Sequence, residues 1–254
     1  MAKQVLAHQD VGNGTIPVLF VHAFPVDRRM WRRQLERFEG RAIAVDLRGF
    51  GASPPAPGTV DDYADDLRDV LDARSVERAV VVGLSMGGYI AMAFARMHSR
   101  RLAGLLLADT KAGADNDEAK KGRDANIERA RTEGVVAVFD AMRAKVFAPE
   151  SDPAHVAELR ALAASQSPEG VVAALEMMRD RPDATSALAN IHVPTTIVVG
   201  GKDAATPPSE ADVMARAIPG ARLVLIEDSG HFSNVERADE FNRALLDLLT
   251  RVRL

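Results

Sequence analysis

Along this chain, short unbroken apolar runs alternate with stretches in which apolar residues return every three or four positions. The runs are "VLFVH" (Val18 to His22), "AIAVD" (Ala42 to Asp46), "AVVVG" (Ala79 to Gly83), "GLLLAD" (Gly104 to Asp109), "TTIVVG" (Thr195 to Gly200) and "LVLIE" (Leu223 to Glu227). A strand with one wet face alternates apolar and polar residues, so an unbroken run predicts a strand covered on both faces, as in a parallel sheet. Between the runs, "VDDYADDLRDVLDA" puts Val60, Tyr63, Leu67, Val70 and Leu71 on one face of a helix. Strand and helix in alternation predict an α/β fold with a mostly parallel, doubly wound sheet. Near the N-terminus, "DVGNGTIPV" carries an Asn-Gly turn signal, which predicts an antiparallel hairpin ahead of the parallel strands.

The rhythm changes between Lys111 and Asn190. No β-rich run occurs there, and "GVVAVFDAMRAKVF" and "GVVAALEMMRD" have helical spacing. Pro149, Pro153, Pro168 and Pro182 cut the segment into short helices. The expected organisation is a core of residues 1–110 and 191–254, with a helical cap of residues 111–190 inserted between two strands. No internal repeat or low-complexity tract is present.

Composition removes whole classes of function. The chain has no cysteine, which excludes a thiol nucleophile, a disulfide and a thiolate metal site. The net charge is −4 and the basic residues are scattered, whereas a nucleic-acid partner calls for a basic stripe or patch. The stretch "MAKQVLAHQD" lacks the apolar segment of a signal peptide. The apolar runs also fall short of the roughly 18 residues that span a bilayer. A cytoplasmic protein without membrane contact is expected, and nothing in the sequence sets its oligomeric state.

Chemistry enters at Gly83-Leu84-Ser85-Met86-Gly87, where "AVVVG" ends and "YIAMAFARM" continues as a helix. A serine on a sharp strand-to-helix turn needs small neighbours, and the helix behind it aims free N–H groups at the place where negative charge develops. The first such donor is the N–H of the residue after the serine, Met86. A serine hydroxyl needs a base, and the base needs a carboxylate to orient it. Of the six histidines, His8 and His98 lie in polar stretches expected at the surface, His155 in the insertion and His192 in a loop. His22 ends a strand, where shaping a loop is the expected role. His231, in "IEDSGHFSNVERADEF", follows the last strand in a Gly-containing loop that can reach over the carboxyl ends of the strands. Two acids reach the same edge: Asp203, in "VVGGKDAATPP", and Asp109, ending "GLLLAD". Asp203 gives the order Ser, Asp, His along the chain and is preferred; Asp109 stays as the alternative.

Taken together, "FVHAFPVDRRMW", "AVDLRGFGAS", "VVVGLSMGGYIAMAFA", "GLLLADT", "VVGGKDAATPP" and "IEDSGHFSNVERADEF" resemble the α/β-hydrolase fold family. The likeness is strongest to its esterase and 3-oxoadipate enol-lactonase-like branch. The resemblance implies Ser85 as nucleophile, Asp203 as acid and His231 as base, with the backbone N–H groups of Phe24 and Met86 as oxyanion donors. It makes Asp46 and Arg48 structural and the insertion a lid. One departure is His22-Ala23, where the family usually has His-Gly; alanine lacks glycine's access to positive φ.

Four readings stay open at this level. The first is a serine hydrolase acting on a small carboxylic ester or lactone. The others are a C–C bond hydrolase, a cofactor-free perhydrolase or haloperoxidase-like enzyme, and a ligand sensor on a hydrolase scaffold. No H-E-x-x-H, P-loop or dinucleotide fingerprint competes, and neither a metal nor an organic cofactor is expected. Phe139, Met142, Phe147, Met177 and Phe232 are candidate pocket residues. Arg143, Lys145, Arg179 and Arg181 are placed either to meet an acidic substrate or simply to face solvent.

Overall fold

Strand β1 (His8–Val11) is followed by six strands that take up the apolar runs: β2 (Val18–Val21), β3 (Ala42–Val45), β4 (Ala79–Leu84), β5 (Leu102–Ala108), β6 (Thr195–Gly200) and β7 (Arg222–Ile226). They form one sheet in the order β1-β3-β2-β4-β5-β6-β7, parallel throughout except for β1. This is a computed structural model, and it describes residues 5–252; the outermost residues of the expected core, 1–4 and 253–254, lie outside the described residues. Every residue of β2 to β6 is buried. Burial on both faces is what an unbroken apolar run requires.

Two expectations about the sheet are corrected. The Asn-Gly turn does reverse the chain, but β1 and β2 make no hairpin: β1 pairs antiparallel with β3, because both edges of β2 are already taken by β3 and β4. A turn signal reports a local reversal and not which strand becomes the neighbour. β7 is the second departure. Its apolar run predicted cover on both faces, yet it is the edge strand, and Leu223 and Leu225 are 40% and 43% exposed.

The core helices are α1 (Arg32–Leu35), α2 (Val60–Ala73) and α3 (Met86–Met97) before the insertion. In α2 all five residues of the expected apolar face are buried, and Thr59 with Asp62 closes a capping box at its start. Between β5 and β6 lie four α-helices, α4 (Asp117–Thr132), α5 (Val135–Val146), α6 (Pro153–Ala164) and α7 (Pro168–Asp180), then a 3-10 helix (Thr185–Asn190), and no strand among the described residues. Pro153 and Pro168 start α6 and α7, where a missing N–H costs nothing. After β6 come α8 (Pro208–Ala217), α9 (Ser233–Glu236) and α10 (Ala238–Arg251). Helix α3 packs on β2, β4 and β5, and α10 on β5, β6 and β7. No described helix is long and apolar enough to cross a membrane.

Segment 111–190 meets the rest of the chain at several places, two of which bear on the site. Gln166 is buried between α6 and α7; its Nε2 donates to Asp27 (2.7 Å) and its Oε1 accepts from the Gly51 N–H (2.8 Å). Beside it the chain crosses itself at Gly49 and Gly170. A Cβ on Gly49 would lie 2.3 Å from Gly170 Cα, and one on Gly170 would lie 2.1 Å from Gly49 O, so no side chain fits at either position. The second junction is at the end of α5, where Val146 O accepts from the His231 N–H (2.9 Å) and Lys145 O from the Ala204 N–H (3.2 Å).

Candidate active site

β4 is buried to its last residue, and the chain then turns into α3 within a single residue. That residue, Ser85, has φ 55 and ψ −113, a conformation that costs a non-glycine residue about 1–2 kcal/mol. The neighbours of the turn explain why it can form. A Cβ on Gly83 would lie 2.3 Å from Gly87 O, and one on Gly87 would lie 2.2 Å from Val21 O. The serine N–H donates to Ala108 O at the end of β5 (2.9 Å), and the serine carbonyl accepts from the Thr110 hydroxyl (2.8 Å). Ser85 is half-buried, at the carboxyl edge of the sheet.

Two further loops leave the same edge. Asp203 follows β6, is buried, and accepts four hydrogen bonds: from the N–H groups of Ala205 (2.8 Å) and Thr206 (3.0 Å), the Thr206 hydroxyl (2.7 Å) and His231 Nδ1 (2.7 Å). Because the carboxylate only accepts, Nδ1 carries the hydrogen, and Nε2 is left with its lone pair. Burial alone would raise the Asp203 carboxyl, but His231 and the Thr206 donors hold it below the usual carboxylate value. Burial likewise disfavours the His231 imidazolium, yet the Asp203 carboxylate outweighs it and lifts the histidine above 6.5. Ser85 and His231 make no hydrogen bond to each other in this structure, a contact that in unliganded enzymes often tightens only when substrate binds.

Sequence reasoning did not find the residues that hold these loops. Thr206 comes three residues after Asp203, the spacing of a side chain closing its own turn, and that was the available signal. Glu236 is buried on α9 and grips the histidine loop from both sides: its carboxylate accepts from the N–H groups of Gly230 and Phe232 (3.2 Å each). It also accepts from the Ala148 N–H (3.3 Å) and the Ser151 hydroxyl, so it ties the same loop to the insertion. No local pattern announced it.

The loop after β2 and the start of α3 bring two more groups. Phe24 and Met86 are buried, and neither backbone N–H has an acceptor among the described residues. Met86 opens α3, where the first N–H groups have no partner within the helix. Ala23, in place of the family's glycine, needs no positive φ; among the described non-glycine residues only Ser75, Ser85 and Asp109 have one. His22 is fully buried; it bonds through Nδ1 to Ala23 O (2.8 Å) and accepts at Nε2 from the Leu47 N–H (3.0 Å). Burial pushes it down to about 4, so it stays neutral and shapes the loop.

The alpha/beta hydrolase family model matches residues 18–244. The chain is an alpha/beta hydrolase. Among solved structures, the hydrolase is similar to a thermophilic esterase from Thermogutta terrifontis, with 41% identity, a TM-score of 0.93, and 98% of this chain and 94% of that chain covered. It is also similar to an enol-lactonase from Burkholderia xenovorans LB400, at 30% identity and a TM-score of 0.89, covering 96% of each chain. A curated relative, 3-oxoadipate enol-lactonase 2 from Acinetobacter baylyi, is 27% identical, with 98% of this chain and 97% of the relative aligned.

The five expected pocket residues of the hydrolase do not stay together. Phe147 stacks on Phe232 (centroids 5.5 Å apart) and meets Phe139 edge-on (6.0 Å), while Phe232 itself packs against the His231 ring (5.8 Å). Met142 lies on α5 with Phe139 and is half-buried. Met177 goes elsewhere. It lines a groove of about 420 Å³ with Pro57 and Val60, whose walls include neither Ser85 nor His231. A more enclosed cavity of about 230 Å³, walled by Tyr89, Met92, Leu188 and Ile191, is separate from the two residues as well. Asp46 and Arg48 are occupied within the fold, by Arg28 and Asp66 respectively. Arg143 and Lys145 face solvent, and Arg179 pairs with Asp124 and Asp180. Arg181 is buried, paired with Asp115 (2.9 Å) and laid over the Tyr89 ring (3.9 Å). His98 is not at the surface as expected; it is half-buried, with Nε2 on Asp65 (2.9 Å). No group of three or more His, Asp or Glu side chains among the described residues is placed to hold a metal ion.

Proposed function

We propose that this chain hydrolyses small carboxylic esters or lactones through an acyl-enzyme on Ser85. The observation that carries this reading is the buried Asp203–His231 pair, 2.7 Å apart, at the sheet edge where Ser85 is turned out of its strand. His231 takes the serine proton at Nε2, and Asp203 holds the imidazole in that tautomer and stabilises the imidazolium. The Met86 and Phe24 N–H groups stabilise the tetrahedral oxyanion; in other enzymes one such donor is worth about 2.7–4 kcal/mol. His231 then returns the proton to the leaving oxygen, and water, deprotonated by the same histidine, releases the acid. The segment 111–190 acts as the cap, with Phe139 and Phe147 facing the acyl group across Phe232. The esterase and lactonase names of the similar proteins support the substrate class.

The test is a panel of p-nitrophenyl esters of rising chain length, run beside simple lactones, with a serine-directed phosphonate as probe. Turnover of short esters or lactones, and phosphonylation of Ser85 alone, are expected. A protein that binds the esters without turnover is a sensor, and turnover with another serine labelled moves the nucleophile.

Two further outcomes follow from the geometry. The base must be unprotonated to act, and its partner raises it; the acid limb of kcat/KM should therefore have its midpoint above pH 6.5. A limb at or below 6.5 means that Asp203 does not support the base. Phe147→Ala should open the aromatic wall. The KM for long acyl chains should then fall relative to short ones by about 10-fold, while kcat on acetate esters changes less than about 3-fold. Equal losses on every ester would give Phe147 a packing role only.

A further inference from the structure

Asp109, the alternative acid of the sequence, is not bonded to His231, and yet it is fully buried within the influence of both His231 and Asp203. Its backbone has φ 46, one of three positive values at described non-glycine residues, and its N–H donates to Val198 O (2.9 Å). Strain of this kind at a buried acid asks for a reason. The contacts of the three residues 108–110 supply one. Ala108 O and the Thr110 hydroxyl hold the backbone of Ser85. Asp109 Oδ1 accepts from the Gly200 N–H (2.9 Å), at the end of β6 and three residues ahead of Asp203. Asp109 Oδ2 is hydrogen-bonded to the Ser233 hydroxyl, two residues beyond His231. One turn therefore touches all three loops.

We propose that Asp109 is a positioning residue that keeps the loops of Asp203 and His231 in register with Ser85, through its hydrogen bonds and not through negative charge. The proposal rests on the assignment of Ser85, Asp203 and His231 made above. The second half follows from the surroundings. Asp203 has four donors, His231 among them; Asp109 has two, neither of them charged. Two carboxylates around one imidazole do not both ionise easily, and the better-solvated one keeps the charge. Burial and the Asp203 charge push Asp109 up to about 8, against the pull of His231, so near neutral pH it holds its proton. The groups facing it are Asp203 and His231; Glu236 acts on the same histidine.

The test compares two substitutions at Asp109. Asp109→Asn keeps both contacts, its amide oxygen accepting from Gly200 and its amide N–H donating to Ser233. Asp109→Gly deletes the carboxyl and takes φ 46 without strain. Misplacing reacting groups by about 1 Å can cost about 100-fold. Asp109→Gly should accordingly lose about 100-fold in kcat with KM within about 3-fold, and Asp109→Asn less than about 5-fold. Asp109→Gly at wild-type kcat, or Asp109→Asn as low as Asp109→Gly, overturns the proposal. Should Asp109→Gly not fold, Ser233→Ala should lose about 10-fold in kcat and Ser233→Thr should restore it; a wild-type Ser233→Ala overturns it equally. Melting temperatures read the proton. A raised carboxyl contributes stability that is present below its unfolded value near 3.8 and is lost as pH rises through about 8. The wild type should thus fall progressively behind Asp109→Asn between those values, and a difference that stays flat shows that Asp109 carries charge. Ser85→Ala separates the two ideas: if it is active, the reading of the site falls; if it is inactive while Asp109→Gly is not, only the positioning role falls.

Discussion

Ser85→Ala should lower kcat on a p-nitrophenyl ester by about 10⁴–10⁶-fold and leave the melting temperature close to that of the wild type. The two halves have separate causes. In the proposed mechanism the hydroxyl is the atom that forms the acyl-enzyme, and removing the nucleophile of such a site costs about as much as removing the whole triad. The residual rate comes from the N–H donors and from binding. Stability is spared because the backbone of Ser85, not its hydroxyl, makes the hydrogen bonds to Ala108 and Thr110. Alanine meets the same φ 55 with almost the same shape. Steady-state kinetics on purified, folded protein decides the matter, and a variant with wild-type turnover ends the acyl-enzyme mechanism.

The second large effect belongs to Asp203→Asn, with an expected loss of about 10⁴-fold in kcat. An amide cannot accept at both atoms. Its nitrogen would face either the Nδ1–H of His231 and the Thr206 hydroxyl, or the N–H groups of Ala205 and Thr206, and each choice puts donor against donor. If the ring answers by moving its hydrogen to Nε2, it can no longer take the serine proton. Asp109→Asn should be far milder, since its partners tolerate an amide. The reverse ranking would hand the acid's role to the end of β5.

What the sequence made legible follows from where its signals come from. Burial on both faces leaves its mark residue by residue, so β2 to β6 were readable to within two residues at each end. The chain order that favoured Asp203 over Asp109 picked the carboxylate that the structure places on His231. Pairing is a different kind of fact. β1 lies beside β3 because β2 has no free edge, and no property of residues 8–14 records that. Phe139, Met142, Phe147 and Met177 were candidates for a pocket as apolar residues of the helical segment, and helical spacing does not say which neighbour each meets. Phe147 found Phe232, and Met177 a separate groove. Glu236 carries no mark of its role in the sequence, because two of its four donors, in residues 148 and 151, lie more than 80 residues away along the chain.

The crossing of Gly49 and Gly170 sets a rule for recombination. Exchanging specificity between relatives by grafting segment 111–190 treats the insertion as a cassette with two covalent ends. The backbone contact adds a third, non-covalent end, inside the core and far along the chain from either splice point. A donor segment with any side chain at the position of Gly170 arrives with an atom about 2 Å from Gly49 O, and no change at position 49 makes room, because glycine is already the smallest residue. Glycine at that position is therefore a necessary condition for a working chimera, beside the contacts that residues 145, 146, 148 and 151 make with the loops of Ala204, His231 and Glu236.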